Sequence, residues 1–448
     1  MKRTLEESIV TTGKQGKREE ETIETTTQME EEKPIIENPQ ETTPTETKIE
    51  NKTETKIETK TENENENQNE TKIENQNQTE QTEKKQRLKT TKVALIVSFV
   101  GKGYLGMMYQ PNSTNTIEYE IENAIYKAGC ISEDNKHDFQ KISWTRTART
   151  DKGVSAANNI VSLKMNIDGD FIERINSHLP EQIRIIDCVK VSHSFNAHSR
   201  VDSRTYQYII PAYALQKVNP ENPTIDESYS VTEEDVEYLN KVIANYVKTH
   251  DFHNYTFEKS GKNKGKTGMK RFIISMSAEH VKKNGMDIVV VSIHGQSFML
   301  WQIRRMIGFA VLLTNLRFEE NQMSEMMKTS FTQVNWRSVI PTAPALGLYL
   351  NQCHFDVHNK RLKEDKQNVD KTPINSEETM AKCNEFKEKY IWTNILKTEQ
   401  EELAFAKYMK EDVKYEKTFA ILSGKMTLEE YNQQFKQQVI PDDEVGEE

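Results

Sequence analysis

The chain has 448 residues, a formal net charge of −10 and only 35% hydrophobic residues, a length that admits two domains plus tails. Its four cysteines (Cys130, Cys188, Cys353, Cys383) lie far apart with no Cys-x-x-Cys pair, which argues against a disulfide framework. No apolar run approaches the length of a signal segment or a bilayer span, so a reduced intracellular compartment is expected and a membrane role is not.

The charge is unevenly spread. Residues 1–83 are Thr, Glu, Lys, Asn and Gln with almost no aromatics and a net −11, and are expected to be a disordered acidic tail. Residues 391–448 carry net −6, which leaves 84–390 at net +7, a mild excess compatible with a polyanionic partner. The cluster Lys84-Lys85-Gln86-Arg87-Leu88-Lys89, with Lys92 beyond, reads equally as a nuclear import signal or as a basic edge meeting RNA.

Order is expected from about Lys92. Val93–Phe99 is a continuous apolar run, as in a buried strand. Gly101-Lys-Gly103-Tyr-Leu-Gly106 formally matches a dinucleotide fingerprint, but Met-Met-Tyr-Gln-Pro-Asn follows, so no helix N-terminus receives a pyrophosphate. Ile117, Ile121, Ala124, Ile125 and Ala128 predict a helix stopped by Gly129. Strands are predicted at Ile142–Thr147, at Ile160–Leu163 where Val154 to Met165 returns through small residues, and at Ile183–Val191, with a short helix at Phe171–Leu179. A polar turn at Ser194–Arg200 then leads to a strand at Ser203–Ile210.

Between the second and third of these strands stands Thr145-Arg146-Thr147-Ala148-Arg149-Thr150-Asp151-Lys152-Gly153-Val154-Ser155. One carboxylate, Asp151, sits among Arg146, Arg149 and Lys152, and neighbouring positive charge favours its ionised form. Asp151 is therefore expected to be a standing anion on a loop that Gly153 lets turn, suited to nucleophilic attack or electrostatic stabilisation more than to proton donation. An isolated Asp-x-Gly reads more plainly as an ion-paired surface turn. In the strand that follows, Arg204, Tyr206 and Tyr208 share one face, a basic and aromatic stripe of the kind that stacks nucleic-acid bases, or else part of a core.

Farther on, helical spacing at Val236, Leu239, Ile243 and Val247 follows a variant capping box of Thr232 and Asp235. After His250-Asp251-Phe252-His253-Asn254-Tyr255 comes a loop with Lys259, Lys262, Lys264, Lys266, Lys270 and Arg271, read as a phosphate-backbone contact or a solvated loop. Phe272–Val281 and Met286–His294 predict a hairpin across Asn284-Gly285. Ser297–Leu313 predicts an apolar helix in which Arg304 needs an anion, with Asp151 the candidate. A turn and a last strand at Pro341–Leu350 precede a linker over 358–376, helices over 377–440 and an acidic tail over 441–448.

Together these pieces resemble the TruA-type tRNA pseudouridine synthases, closest to their eukaryotic nuclear and mitochondrial branch. The family signature Arg-Thr-Asp-x-Gly-Val-x-Ala stands as Arg149–Ala156, its Arg-x-Tyr-x-Tyr strand as Arg204–Tyr208, and its third motif as Ser297, Phe298, Arg304 and Gly308. Gly101–Gly106 with Gln110, His250–Asn254 and Pro344–Leu348 also match, six landmarks in order over about 91–356.

The resemblance implies an α+β pseudouridine synthase fold: two similar halves, at 90–210 and 211–357, sharing a largely antiparallel sheet around a basic cleft. It implies Asp151 as the attacking carboxylate, Tyr206 as the tyrosine against the base and Arg304 as the arginine paired with the aspartate. Arg146, Arg149, Lys152, Arg204, Phe298 and Arg305 are expected to contact substrate. The implied reaction is isomerisation of uridine in tRNA, in the anticodon stem at positions 27 and 28, without cofactor or metal. Messenger RNA and small nuclear RNA are further expected partners, the nucleus the expected location with the mitochondrion as alternative, and monomer or homodimer both stay open. A catalytically idle RNA-binding protein and a glycoside hydrolase are the rival classes. The intact Asp151, Tyr206 and Arg304 speak against the first, and the lack of an acid partner for Asp151 against the second. A metal site at Cys353, His354 and His358 is weaker than structural histidines.

Overall fold

Residues 92–99 are buried without alternation, so β1 (Thr91–Phe99) is a strand with protein on both faces. The computed structural model describes residues 88–256, 267–364 and 372–435. The expectations for the two acidic tails, for residues 84–87 and for Lys259, Lys262, Lys264 and Lys266 fall outside them.

After β1 come α1 (Ile117–Lys127), β2 (Thr145–Arg146), β3 (Ser155–Met165), α2 (Phe171–Ser177), β4 (Ile183–Lys190), α3 (Ala197–Arg200) and β5 (Ser203–Pro211). Next are α4 (Glu233–Ala244), β6 (Lys248–Asp251), β7 (Lys270–Lys283), β8 (Met286–Gly295), α5 (Gln302–Leu316), α6 (Glu320–Thr332) and β9 (Leu348–His354). The strands form one nine-stranded sheet in the order β4-β1-β3-β9-β5-β8-β7-β6, with β2 added to β3. All pairings are antiparallel except β3 with β9, through Ser155↔Tyr349 and Ala156↔Leu350. The chain is thus an α+β protein whose last strand, β9, fills the middle of the sheet between β3 and β5.

Local chemistry accounts for most boundaries. The Thr116 hydroxyl caps α1, and Thr232 and Asp235 form the reciprocal capping box of α4. Asn284 (φ 50°) and Gly285 (φ 77°) make the left-handed turn that closes the β7–β8 hairpin. Three segments depart from expectation. Ser143 (φ 54°) interrupts the strand predicted at 142–147, leaving only Thr145–Arg146 in the ladder. The polar turn at 194–200 winds into α3, capped by the Asn196 side chain. α5 starts at Gln302, not Ser297, because Trp301 is left-handed (φ 61°) and the Gln302 side chain accepts the Met299 N–H at 2.9 Å, bending the preceding residues into a turn.

The two faces of the sheet are covered differently. Tyr206, Tyr208 and Ile210 face a large core with Ile121 and Ile125 of α1, Leu239 and Val242 of α4, and Met306 and Ile307 of α5. Ile209, Ile288, Val290 and Tyr349 face the other way, against Phe386, Ile391, Trp392, Ile395 and Leu396. Those last residues belong to a helical C-terminal stretch: α7 (Asp356–Glu364), α8 (Glu377–Phe386), α9 (Thr393–Glu402), α10 (Ala404–Lys407), α11 (Tyr415–Leu422) and α12 (Leu428–Phe435). Part of the stretch 358–376 is not a plain spacer. It carries most of α7, Ile374 is fully buried, and the Asn375 amide donates to Cys353 O at 2.6 Å.

Candidate active site

The Asp151 loop leaves β2 and returns as β3, and a second loop holds it mainly through its backbone. Met107 N–H donates to Thr150 O (3.3 Å), Gly153 N–H to Tyr104 O (3.2 Å) and Gly101 N–H to the Ser155 hydroxyl (3.0 Å). A Cβ on Gly101 would stand 2.3 Å from Val154 O, and one on Gly106 2.6 Å from Thr150 O. The glycines that mimic a nucleotide fingerprint therefore serve as a cradle, because only a bare backbone approaches the loop so closely. Gly153 (φ 79°) makes the turn after the carboxylate.

Asp151 is only partly accessible at the surface and is crowded by protein on most sides. Burial pushes its pKa up, and the charge that opposes this is that of Arg304 on α5. The two are not in direct contact: among the described residues no ion pair within 4.0 Å joins them. Arg304 instead donates Nε to Ala343 O at 2.8 Å and lies 5.6 Å from the Trp301 ring centre. Tyr206, 7% exposed, is the third member, near enough for the Asp151 charge to act on its hydroxyl. Burial holds that phenol well above its ordinary range. Phe298 meets the Tyr206 ring edge to face at 5.2 Å, giving the site an aromatic wall.

The expectation that sequence neighbours hold Asp151 as an anion is corrected here. Arg146 turns away and pairs through Nε with Glu118, which is fully buried. Arg149 and Lys152 are exposed, where water screens them from Asp151, and both are available to a phosphate. Two further cations expected at substrate spend donors inside the protein. Arg204 donates Nε to Thr147 O at 3.0 Å and Nη1 to Gln296 O at 3.2 Å, tying β5 to the start of the Asp151 loop. Arg305, 7% exposed, donates to Arg337 O (3.0 Å) and Asn254 O (3.3 Å), and burial brings its pKa down to about 10. Consecutive residues on a helix point about 100° apart, so Arg304 reaches the site and Arg305 the core.

Glu118 escaped the sequence reading. It accepts from Trp144 Nε1 (2.6 Å), Tyr109 N–H (2.9 Å) and Arg146, fixing β2 just ahead of the Asp151 loop. An acid in the first turn of a helix is so commonly explained by the helix dipole that its pattern gave no signal. The segment His250–Tyr255 proves structural: Asn254 donates to Ser330 O (2.9 Å) and His250 stacks on Phe331 at 4.3 Å, locking α6. Cys353 lies against the Thr147 hydroxyl and His354 Nε2 against that of Thr205. Among the described residues no three His, Cys, Asp or Glu are grouped to hold a metal ion, and no helix is long and apolar enough to cross a membrane.

The arrangement offers a partly desolvated carboxylate, a guanidinium that offsets its charge and an aromatic wall for a flat ring. Residues 242–356 match the family described as tRNA pseudouridine synthase, a span that contains Arg304. The pseudouridylate synthase 1 homolog of Mus musculus is 35% identical over 327 residues, 72% of this chain and 74% of that protein. The Homo sapiens protein of the same name is 35% identical over 320 residues, 71% of this chain and 72% of its own length. The tRNA pseudouridine(27/28) synthase of Saccharomyces cerevisiae is 29% identical over 378 residues, covering 71% of this chain and 98% of the yeast protein.

Proposed function

Since this chain belongs to the tRNA pseudouridine synthase family, we propose that it isomerises uridine in the anticodon stem of tRNA, at positions 27 and 28, through attack by the Asp151 carboxylate. The observation that carries the proposal is the convergence of Asp151, Arg304 and Tyr206, from three separate elements, on one aromatic-walled site.

The target uridine leaves its stack, at a cost of a few kcal/mol, and lies against Tyr206 and Phe298, which recover part of that cost. Asp151 attacks the nucleotide in its ionised form, which needs no separate base to activate it. A carboxylate–nucleotide bond forms, the N1–C1′ bond breaks and the ring turns; as C5 bonds to C1′ the carboxylate bond is given up, the C5 proton leaves to solvent and N1 gains one from it. All bonds made and broken belong to one nucleotide and one carboxylate, so no electrons leave or enter. Tyr206, kept neutral by burial, meets the base as a hydrogen-bonding ring and not as a phenolate. Arg304 offsets part of the burial that raises the Asp151 pKa and so favours the ionised nucleophile. Arg149 and Lys152, exposed on either side of the nucleophile, meet the flanking phosphates.

Tritium release from tRNA labelled at uracil C5 tests the reaction. Asp151→Asn should release none while binding tRNA nearly as well as the parent; continued turnover would remove Asp151 from the chemistry. Running the same assay on messenger RNA and small nuclear RNA sorts the substrates. The basic run at 84–92 supports a nuclear location, which fluorescence of the tagged chain checks.

A further inference from the structure

The C-terminal stretch packs into the same core as Tyr206 and α5. Tyr408, at the end of α10, is 3% exposed and its ring meets that of Phe405 edge to face at 6.1 Å. A Cβ on Gly308 would stand 3.0 Å from the Tyr408 hydroxyl oxygen, so the phenol abuts α5 one turn after Arg304. The same stretch of α5 grips the turn 341–344. Pro341 O lies 2.3 Å from that same Cβ position, Ala343 O accepts Arg304 Nε at 2.8 Å, and Pro344 O accepts the Tyr208 hydroxyl at 2.5 Å.

Two oddities meet at Tyr408. Its hydroxyl is buried with no hydrogen-bond partner among the described residues, whereas phenylalanine would fill the space without that desolvation cost. The backbone opens there into a π-helical turn, Val413 N–H to Tyr408 O at 3.1 Å, an irregularity that recurs at functional positions. Both are disadvantages to stability alone.

We propose that Tyr408 is a positioning residue for the reaction: its hydroxyl, wedged against α5 and the 341–344 turn, sets the direction in which Arg304 faces Asp151. This rests on the reading of Asp151 as nucleophile. The Arg304 charge acts on the Tyr408 and Tyr208 phenols as well as on Asp151, and Ala343 O, which accepts its Nε at 2.8 Å, belongs to the turn whose Pro344 O accepts the Tyr208 hydroxyl. A phenol oxygen is an acceptor as well as a donor and orients a guanidinium through one water or by fixing the turn that holds it. The C-terminal stretch is in this way part of the catalytic apparatus.

The test is Tyr408→Phe in the full chain, assayed on tRNA across pH, with Tyr415→Phe as control. Tyr415 sits in the same stretch, but its hydroxyl is satisfied by Asn315 Oδ1 at 2.8 Å, three turns along α5 from Arg304. Tyr408→Phe should lower kcat about tenfold, the scale of a small misplacement in an aligned site, with KM within about twofold of the parent. The acidic limb of kcat should move to higher pH, because a less well aimed Arg304 lowers the Asp151 pKa less. Its melting temperature should hold or rise, since the unpartnered hydroxyl is gone. Tyr415→Phe should lower the melting temperature and leave kcat alone. Parent-like turnover and an unmoved limb in Tyr408→Phe, with Asp151→Asn inactive, would overturn the positioning role and leave the Asp151 reading standing. An active Asp151→Asn would overturn both.

Discussion

Replacing Glu118 with alanine should unfold the region that feeds the Asp151 loop more easily than any surface change. Glu118 is fully buried and accepts three donors: Arg146 Nε, Trp144 Nε1 at 2.6 Å and Tyr109 N–H at 2.9 Å. Removing one side of a buried ion pair costs about 3–5 kcal/mol, since the other charge is left without compensation. Each neutral donor stranded in a dry site adds about 1–3 kcal/mol, reduced here because the Arg146 side chain is 21% exposed and can relax toward water. A total near 4 kcal/mol is expected for Glu118→Ala, and about 2 kcal/mol for Glu118→Gln, which keeps the acceptor oxygen and the volume but loses the charge. Urea titration of the parent, the two variants, Arg146→Ala and the double mutant supplies the coupling energy between the partners, expected at about 2 kcal/mol or more. The salt dependence of tRNA binding should be unchanged in Arg146→Ala, because that guanidinium is spent inside the protein. A cost below about 1 kcal/mol for Glu118→Ala, or strictly additive single effects, would refute the pairing as the anchor of β2.

Three other outcomes are expected. Gly308→Ala places a Cβ 2.3 Å from Pro341 O, so the turn that holds Arg304 must move; stability should fall by about 1–3 kcal/mol in urea and kcat should fall with it. Asp151→Asn should melt higher than the parent at pH 7. Burial raises the Asp151 pKa above its unfolded value, so the native state favours the protonated acid and loses stability as pH rises through the folded pKa. Below the unfolded pKa the gain should vanish, and a melting difference independent of pH would count against a buried nucleophile. Arg149→Ala and Lys152→Ala should each reduce the slope of log Kd against log salt by about 0.7–1, as expected of one phosphate contact apiece, whereas Arg305→Met should leave the slope alone.

What the sequence disclosed and what it hid divide along the range of the interactions. Thr232 with Asp235, and Asn284 with Gly285, act over two to four residues, and their chemistry admits few alternatives, so both were legible in advance. The Asp151 loop stood out by its motif; Arg304, expected to meet an anion, donates instead to the Ala343 carbonyl, and only its charge acts on Asp151. Charge counted along the chain misled, however. Arg146 stands five residues from Asp151 but pairs with Glu118, and the cation that acts on Asp151 lies on α5. Arg304 and Arg305 are indistinguishable in composition, and only the true start of the helix at Gln302 sets which one enters the core. That start depends on a left-handed Trp301, a conformation no tryptophan advertises. The C-terminal helices read as an extension because their apolar residues have no local partner; Phe386 to Leu396 find theirs on the back of the sheet, and Phe405 to Tyr431 in the main core, both assembled from segments far away in sequence.

The central place of β9 bears on how the protein is made. Both neighbours of β9, β3 and β5, have left the ribosome well before Leu348 is added, and β5 alone precedes it by roughly 140 residues. At about 5–20 residues per second, those two edges wait on the order of ten seconds or more with their hydrogen-bonding groups open. A nascent chain halted anywhere in that interval presents two unsatisfied templates for foreign strands. Synthesis of this protein should therefore depend on chaperone capacity to a degree that the stability of the finished molecule does not reveal.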